Sequence, residues 1–481
     1  METYLLHNNQ SGVDKLLPLL HFEHGESLSP IFQKTMILSW GADFSGRTIT
    51  GENIQIFNDP KSVLQCNNKK TMRQIIELHG LKISPAENRP EYRIEYRIPI
   101  FHLKALSVFI KKSKTTLWSS RLSFSESNRG RFEELEVNER VGFYVRRAMR
   151  EARKAVYALG LEFALVHIGI LGRGDTVVID VNPTPVLNQR LAQCYADEMN
   201  AFATELRTVN PPYIARVKPI LIGADPEFIL RKPNGKIVSA DRFMGREGVV
   251  GCDAVVLSGH RIVLPLVELR PQPSTSPIIL THHIRNLMQK AQKMINEPEL
   301  DWLAGAMPVK GLPLGGHIHF SGVEVNSMLL RVLDNYLALP LVLLESESIY
   351  HRRPRYGFLG DFRRQSHGGF EYRSLPSWLV SPTVTVGVLS LGMVIAHHYL
   401  ELQQRPLRLL EVQRAFYQGA KDRIKPHIEK LWLDIKQTTT YLKYQKELNR
   451  LFQMILLKED WQEEQDFRKN WRIDSQREFM L

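Results

Sequence analysis

At 481 residues the chain exceeds one ordinary core of about 100–200 residues, so two folded domains and a helical tail are expected. The hydrophobic share of 43% is that of a globular protein, and the longest nearly apolar run, residues 384–396, is shorter than the roughly 20 residues that cross a bilayer. The 63 lysines and arginines outnumber the 51 aspartates and glutamates, a formal charge of +12 that allows a solvated basic surface, an acidic or phosphate-bearing ligand, or nucleic acid. No zinc finger, RNA-recognition signature or long basic block accompanies that charge, so neither nucleic acid nor membrane is expected as a partner.

The opening METYLLHNNQSG lacks the basic stretch and apolar core of a signal peptide, which predicts a cytoplasmic location. Further on, MILSWGADF reads as a strand and turn, and KKTMRQIIELHGL as a helix closed by Gly80. YRIPIFHLKALSVFI reads as a strand pair or a strand plus turn. ERVGFYVRRAMREARKAVYALGL has helical periodicity through Phe143, Val145, Ala148 and Ala152. FALVHIGIL and DTVVIDVN read as strands around a turn at 172–175, and TVNPPY at 208–213 as a linker. Cys66, Cys194 and Cys252 are far apart, so neither a disulfide framework nor a structural zinc site is expected.

The second region is richer in strands: PILIGADPEFILR, GKIVSADRF, RIVLPLVELRP, LGGHIHFSG and FEYRSLP. Helices are expected at HHIRNLMQKAQKMI and NSMLLRVLDNYLALPLVLLE, and again from about Val384 onward. The amphipathic, charged tail reads as packing material or a partner surface.

Four of these strands carry ionisable residues at i and i+2 between apolar neighbours: Asp225 with Glu227, Glu268 with Arg270, His317 with His319, and Glu371 with Arg373. Residues two apart in a strand share a face. A single such pair is ordinarily a solvated face. Four of them, each near glycine or proline, point to a site, because buried charge must be paired or bind metal. Carboxylates with a histidine suit Mg²⁺ or Mn²⁺, and arginines beside them suit phosphate. The HxH pair also admits a zinc-dependent hydrolase or a structural role. HRRPRYGFLGDFRRQSHGG, with Arg352, Arg353, Arg355, Arg363 and Arg364, reads either as a basic surface loop or as a lid over phosphates.

GADPEF, VELRP, GGHIHFSG, YGFLGDFR and FEYRSLPSWLVSP occur in the order found in the amidoligases, phage and bacterial COOH–NH2 ligases of the glutamine-synthetase-like superfamily, and the chain resembles that family over about 219–400. The resemblance implies an α+β protein with an antiparallel, metal-lined sheet in which ATP activates a carboxylate as an acyl phosphate that an amine then attacks. It implies Asp225, Glu227, Glu268, His317 and Glu371 as metal ligands. Arg270, Arg363 and Arg373 would contact nucleotide, with Glu371, Arg363 and Arg373 taking part in the reaction. Implied cofactors are ATP and Mg²⁺ or Mn²⁺; implied partners are a small-molecule or peptide carboxylate, of acidic character given the basic balance, and an amine. In GCDAVVL the family pattern would follow Asp253 with glycine, yet Ala254 stands there, which leaves the loop and the role of Asp253 open.

The first region resembles ATP-grasp ligases through NKKTMRQIIELHGLKISP, EYRIPIF and ALGLEFALVHIGI with VVIDVNPTP. An acidic-x-Asn metal pair would be Asp180 and Asn182, but His167 replaces the acidic residue of the preceding strand, and SPAENRPEYR is too short for the subdomain that covers ATP. The expected layout is a reduced, degenerate ATP-grasp-like α/β domain at 1–212, a glutamine-synthetase-like ligase domain at 219–405, and a helical extension at 406–481. A scaffold keeping both folds without catalysis is the alternative from another class.

Overall fold

Period-two alternation is clearest in IEYRIPIF, where Tyr96, Ile98 and Ile100 are buried while Glu95 and Arg97 lie on the other face of the strand Ile94–Phe101. The computed structural model describes residues 1–27, 35–41, 54–88, 90–112, 131–136, 141–208, 218–256 and 262–473. The chain mixes helices with sheets and divides into two units, Met1–Arg216 and Val217–Leu481. The linker reading at 208–213 falls almost wholly outside the described residues, as does the turn expected after MILSW.

In the first unit a parallel sheet runs in the order Glu23–Gly25, Glu2–His7, Thr35–Trp40, Ile54–Phe57. An antiparallel sheet follows in the order Thr176–Asn182, Phe163–Ile170, Ile94–Phe101, Val108–Lys112, Glu133–Leu135. The helix Lys69–Leu78 starts where the Asn68 side chain accepts the Thr71 N–H and stops before Gly80, whose φ of +72° suits glycine. The helix Phe143–Ala158 buries Val145, Ala148 and Ala152, but Phe143 is its first residue and is 62% exposed, so the periodicity overreached at that end.

The second unit holds two antiparallel ladders. One is ordered Leu221–Ala224, Ile318–Ser321, Phe370–Tyr372, Phe362–Arg364; the other Ile237–Val238, Glu227–Arg231, Ile262–Leu269, Val250–Val256, with Asp301–Leu303 also paired to Glu227–Arg231. PILIGADPEFILR, expected as one strand, is therefore two strands in two ladders. Pro226 has no N–H to give a ladder, and the chain changes sheet there. GCDAVV of GCDAVVL, expected as a loop, lies in the strand Val250–Val256, and Leu257 falls outside the described residues.

The apolar run at 384–396 lies in the helix Pro382–His398, started by the Ser381 side chain on the Val384 N–H and buried on nearly all sides. Among the described residues no helix is long and apolar enough to cross a membrane. A Cβ on Gly387 would come within 2.8 Å of Leu451, so only glycine lets the tail helix Gln445–Leu457 approach this closely. The tail is also tied to the sheets by Phe467 N–H to Trp302 O at 3.1 Å and Arg468 Nη2 to Leu300 O at 2.6 Å.

Candidate active site

The seam at Asp225–Pro226 delivers the first acidic pair. Asp225 N–H donates to His317 O at 3.4 Å and Glu227 N–H to Gly315 O at 2.9 Å, so the HxH segment runs beside both carboxylates. On the far side Leu269 N–H donates to Pro226 O at 3.1 Å. In one ladder His319 stands opposite Glu371, and Glu371 opposite Arg363. In the other, Glu227 stands opposite Glu268 and Glu268 opposite Gly251.

Side chains from both ladders converge. His317 Nδ1 lies 3.1 Å from Asp225 Oδ1 and 3.2 Å from Glu371 Oε1. His319 Nε2 lies 3.2 Å from Asp225 Oδ2. Glu371 is wholly buried; its Oε2 accepts from Arg363 Nε at 2.7 Å and from Gln365 Nε2 at 3.0 Å, while Arg373 Nε lies 3.0 Å from Oε1. Glu227 Oε2 accepts the Gly315 N–H at 2.7 Å, and Glu268 pairs with Arg270, which also donates to Gly248 O at 2.9 Å.

Crowding buried carboxylates perturbs them in opposite directions. Burial opposes ionisation of Asp225, yet His317 and His319 hold it well below the usual carboxylate range. Burial pushes Glu227 up to about 7, against His317 and the Gly315 N–H. Burial and the charge of Asp225 push Glu268 to about 8 despite Arg270. Burial alone would lower His317, but Asp225, Glu227 and Glu371 lift it to about 9. Such a set of opposed shifts in a cleft marks a functional-site candidate.

A divalent ion suits these donors. Asp225, His319 and Glu371 each offer a ligand atom, all within 4.8 Å of one another. His319 Nε2 and Glu371 Oε1 are buried without an aligned hydrogen-bond partner, His319 Nε2 lying 3.2 Å from Asp225 Oδ2 and Glu371 Oε1 3.2 Å from His317 Nδ1. Buried polar atoms left in that state are unusual and fit coordination to a cation. The pairing i, i+2 that singled out His317 also flags His319, which was not among the expected ligands. Glu227 and Glu268 lie on the other ladder, outside this group of three.

A cavity of about 410 Å³ opens over the cluster, with Asp225, Glu268, His319, Arg270, Arg363 and Arg373 in its walls. The arginines of the basic segment divide. Arg363, Arg364 and Arg355 are exposed, but Arg352 and Arg353 are buried and are neither surface nor lid. Arg352 donates to the carbonyls of Leu314, Ser374 and Leu375 at 3.0, 3.3 and 2.9 Å, and Arg353 holds Glu345 through two contacts of 2.9 Å. Two like residues in sequence thus do structural work because a buried guanidinium can spend its donors on carbonyls or a carboxylate.

In the first unit Asp180 is paired with Lys69 Nζ at 2.6 Å, His167 Nε2 meets Glu95 Oε2 at 2.8 Å, and Asn182 Oδ1 accepts the Thr184 N–H at 3.0 Å.

Residues 222–473 match the family described as phage phiEco32-like COOH.NH2 ligase-type 2. The chain belongs to this family. No curated protein matches it in sequence. Among solved structures, macrocyclase MdnB from Microcystis aeruginosa MRC is similar at 12% identity, covering 41% of this chain and 98% of that one with a TM-score of 0.29. The ATP-grasp ligase PsnB, in complex with minimal precursor, Mg and ADP, is similar at 8% identity over 42% and 97% of the two chains, TM-score 0.31. A bifunctional glutathione synthetase from Pasteurella multocida is similar at 12% identity over 53% and 49%, TM-score 0.34. The COOH.NH2 ligase family match covers both ladders and most of the helical tail.

Proposed function

We propose that the chain joins a carboxylate to an amine at the expense of ATP, through an acyl phosphate, in the cleft of its second unit. The observation that carries this reading is the meeting of Asp225, His319, Arg363 and Arg373 in the wall of one cavity, with the buried Glu371 within reach of Asp225 and His319 and paired to both arginines, in a member of the COOH.NH2 ligase family.

Asp225, His319 and Glu371 would hold a Mg²⁺ or Mn²⁺ ion, with Glu227, Glu268 and His317 as further acidic and imidazole groups around it. Such an ion, when bound, supplies charge neutralisation to the phosphate oxygens. Arg363, Arg373 and Arg270 grip phosphate oxygens and stabilise charge on the transferring phosphoryl group. Glu371 orients Arg363 and Arg373. The carboxylate of the acid attacks the γ-phosphorus, the bond from that phosphorus to the β,γ-bridging oxygen breaks to release ADP, and the amine then displaces phosphate from the acyl phosphate with loss of a nitrogen proton. The ladders shield that intermediate from hydrolysis.

The second unit is read as a glutamine-synthetase-like ligase fold at 219–405 with a helical extension at 406–481, and the first, at 1–212, as an ATP-grasp-like remnant in the cytoplasm. Asp180 held by Lys69 supports the remnant reading. An acidic substrate, small or peptide, agrees with the arginines. His317 Nδ1 is engaged by two carboxylates, which counts against a hydrolase built on two imidazoles.

Incubation with ATP, Mg²⁺ and hydroxylamine across a panel of carboxylic acids tests the proposal. Hydroxamate and phosphate should appear together, only with a particular acid. Hydrolysis of an amide without ATP, or no acid-dependent phosphate release with any acid, overturns it.

A further inference from the structure

The ladder that carries His319 and Glu371 ends in an open edge. Among the described residues, Phe362–Arg364 pairs with Phe370–Tyr372 on one side and with no strand on the other. This short strand carries two exposed arginines, Arg363 and Arg364, beside the half-buried Phe362.

The register fixes which backbone groups face outward. Arg373 N–H donates to Asp361 O at 2.9 Å, Arg363 stands opposite Glu371, and Gln365 N–H donates to Gly369 O at 2.8 Å. In an antiparallel pair, alternate residues exchange backbone bonds and the residues between them point theirs away. Asp361, Arg363 and Gln365 therefore spend their backbone groups on the inner strand. Phe362 and Arg364 turn N–H and C=O outward, where no described residue meets them. The bonds at Asp361 and Gln365 hold the hairpin at both ends, so the edge is formed before anything docks. Unpaired backbone groups along a strand are a template for another strand.

The same ladder leads to the main cavity. Gly223 stands opposite His319, His319 opposite Glu371, and Glu371 opposite Arg363, a single row across the sheet. Gly223, His319 and Arg363 line the cavity. A strand added at the edge lies about 4.8 Å beyond Phe362–Arg364 and extends that row by one place. Its residue opposite Arg363 falls in a pair without backbone bonds, where side chains approach most closely.

The charge at this place suits an acid. Arg364 has no ion pair among the described residues, and the Arg363 side chain is exposed although it reaches Glu371. The acids of the hairpin are turned inward. Glu371 is wholly buried and held by Arg363, Gln365 and Arg373, and Asp361 lines a smaller chamber that shares Arg373 with the cavity.

Resting on the ligase reading above, we propose that Phe362–Arg364 takes an acidic, extended segment of another polypeptide as an added antiparallel strand, and that a side-chain carboxylate of that segment is the acid joined to the amine. Pairing at Phe362 and Arg364 supplies the hold whatever the guest's sequence. The acid opposite Arg363 then lies beside a guanidinium that grips the transferring phosphoryl group. One of its oxygens bonds the γ-phosphorus as the bridging bond to ADP breaks. The amine forms the C–N bond at the side-chain carbonyl carbon, and the C–O bond breaks with its electron pair on phosphate, which carries off the nitrogen proton. A free amino acid can meet Arg363 but gains none of the edge bonds.

A labelled short peptide of alternating glutamate and threonine, followed by fluorescence anisotropy on the full chain without ATP, reads the docking. Saturable binding is expected, weakened at least about tenfold by N-methylation of the threonines, whose N–H groups would meet Phe362 and Arg364. Arg364→Pro removes an outward N–H and leaves the ladder bonds at Arg363 and Gln365 in place, so melting should hold while binding falls at least about tenfold. Arg364→Gln, which removes only the charge, should weaken it no more than about threefold. With ATP, Mg²⁺ and hydroxylamine the peptide should yield hydroxamate where free glutamate does not, and Arg364→Pro should raise the KM for peptide with kcat little changed. No saturable binding, N-methylated peptide binding as tightly as its parent, or binding unaltered in a folded Arg364→Pro protein overturns the inference, and the ligase reading stands on the panel of acids. Peptide bound at the edge with no phosphate release from any acid, peptide included, removes the ligase reading and with it the claim that the edge presents a substrate.

Discussion

Arg363 Nη2 lies 2.6 Å from Glu371 Oε2, although the arginine side chain is 55% exposed and the glutamate is wholly buried. Glu371 is thus reached from solvent by a guanidinium that can release it to water. Glu371→Gln should therefore leave the protein folded, with a loss of about 1–2 kcal/mol, while ATP-dependent product formation falls at least about 100-fold. Thermal melting and phosphate release measure the two; retained turnover would reject Glu371 as a reacting-site residue.

A Cβ built on Gly315 would stand 2.4 Å from His317 Nε2, whereas one on Gly316 would stand 2.3 Å from the backbone Pro376 O. A side chain can move where a backbone cannot. Gly315→Ala should cost about 1 kcal/mol or less in stability and act mainly by displacing His317. Gly316→Ala should cost about 1–3 kcal/mol or more. Urea unfolding with Mn²⁺ titration separates them: weaker metal binding in a stable Gly315→Ala protein is the expected result, and a larger loss of stability there than in Gly316→Ala would contradict it.

Stability of the metal-free protein should fall as pH rises. Unfolded glutamates release protons near 4.5, but Glu227 and Glu268 keep theirs to about 7 and 8; an unfolded histidine releases near 6.5, but His317 holds on to about 9. In each case the folded state binds more protons, so stability is lost as pH climbs from about 4.5 to 9. Asp225, depressed, stays ionised in both states over that window. Melting temperature in chelator should decline across it, and divalent cation should reduce the decline by replacing protons. A flat or rising profile would argue against this buried charge cluster.

What was legible in the sequence was the repeated pairing of ionisable residues two apart, because a strand's geometry makes that spacing a shared face whatever the partners are. What was hidden depended on long-range pairing. Pro226 marks a local break in the strand, but that the break would carry Asp225 and Glu227 to the seam of two ladders depends on partners distant in the chain. The register slip between Asp253 and Val255 lies in the pairing of two strands, so a loop was read where a strand exists. Arg352 and Arg353 look like Arg363 and Arg364 in sequence; only the carbonyls and the Glu345 carboxylate waiting for them distinguish their burial.

Removing one partner of the buried Glu345–Arg353 pair should be costly. Arg353→Met leaves a carboxylate that burial already disfavours, and a loss of about 3–5 kcal/mol is expected. Replacing both, Arg353→Met with Glu345→Leu, should recover most of it. Urea unfolding decides: a single substitution costing under about 1 kcal/mol would show the pair to be dispensable.

Lys69 and Asp180 are both substantially exposed, so Asp180→Asn should change stability by no more than about 0.5 kcal/mol. With the first unit as a remnant, product formation should also be unchanged. A turnover loss in a protein of unaltered melting temperature would give that unit a part in the chemistry.

The peptide through Asp225 and Pro226 joins the two ladders, with the Asp225 N–H on His317 O and Pro226 O on the Leu269 N–H. One wall cannot slide past the other without breaking the chain's own bonds to the HxH segment on one side and to Leu269 on the other. The gap between opposing acids is therefore built in before any guest arrives. If the proposed metal site is right, selection among cations would rest on ionic radius, with little freedom for the walls to adjust.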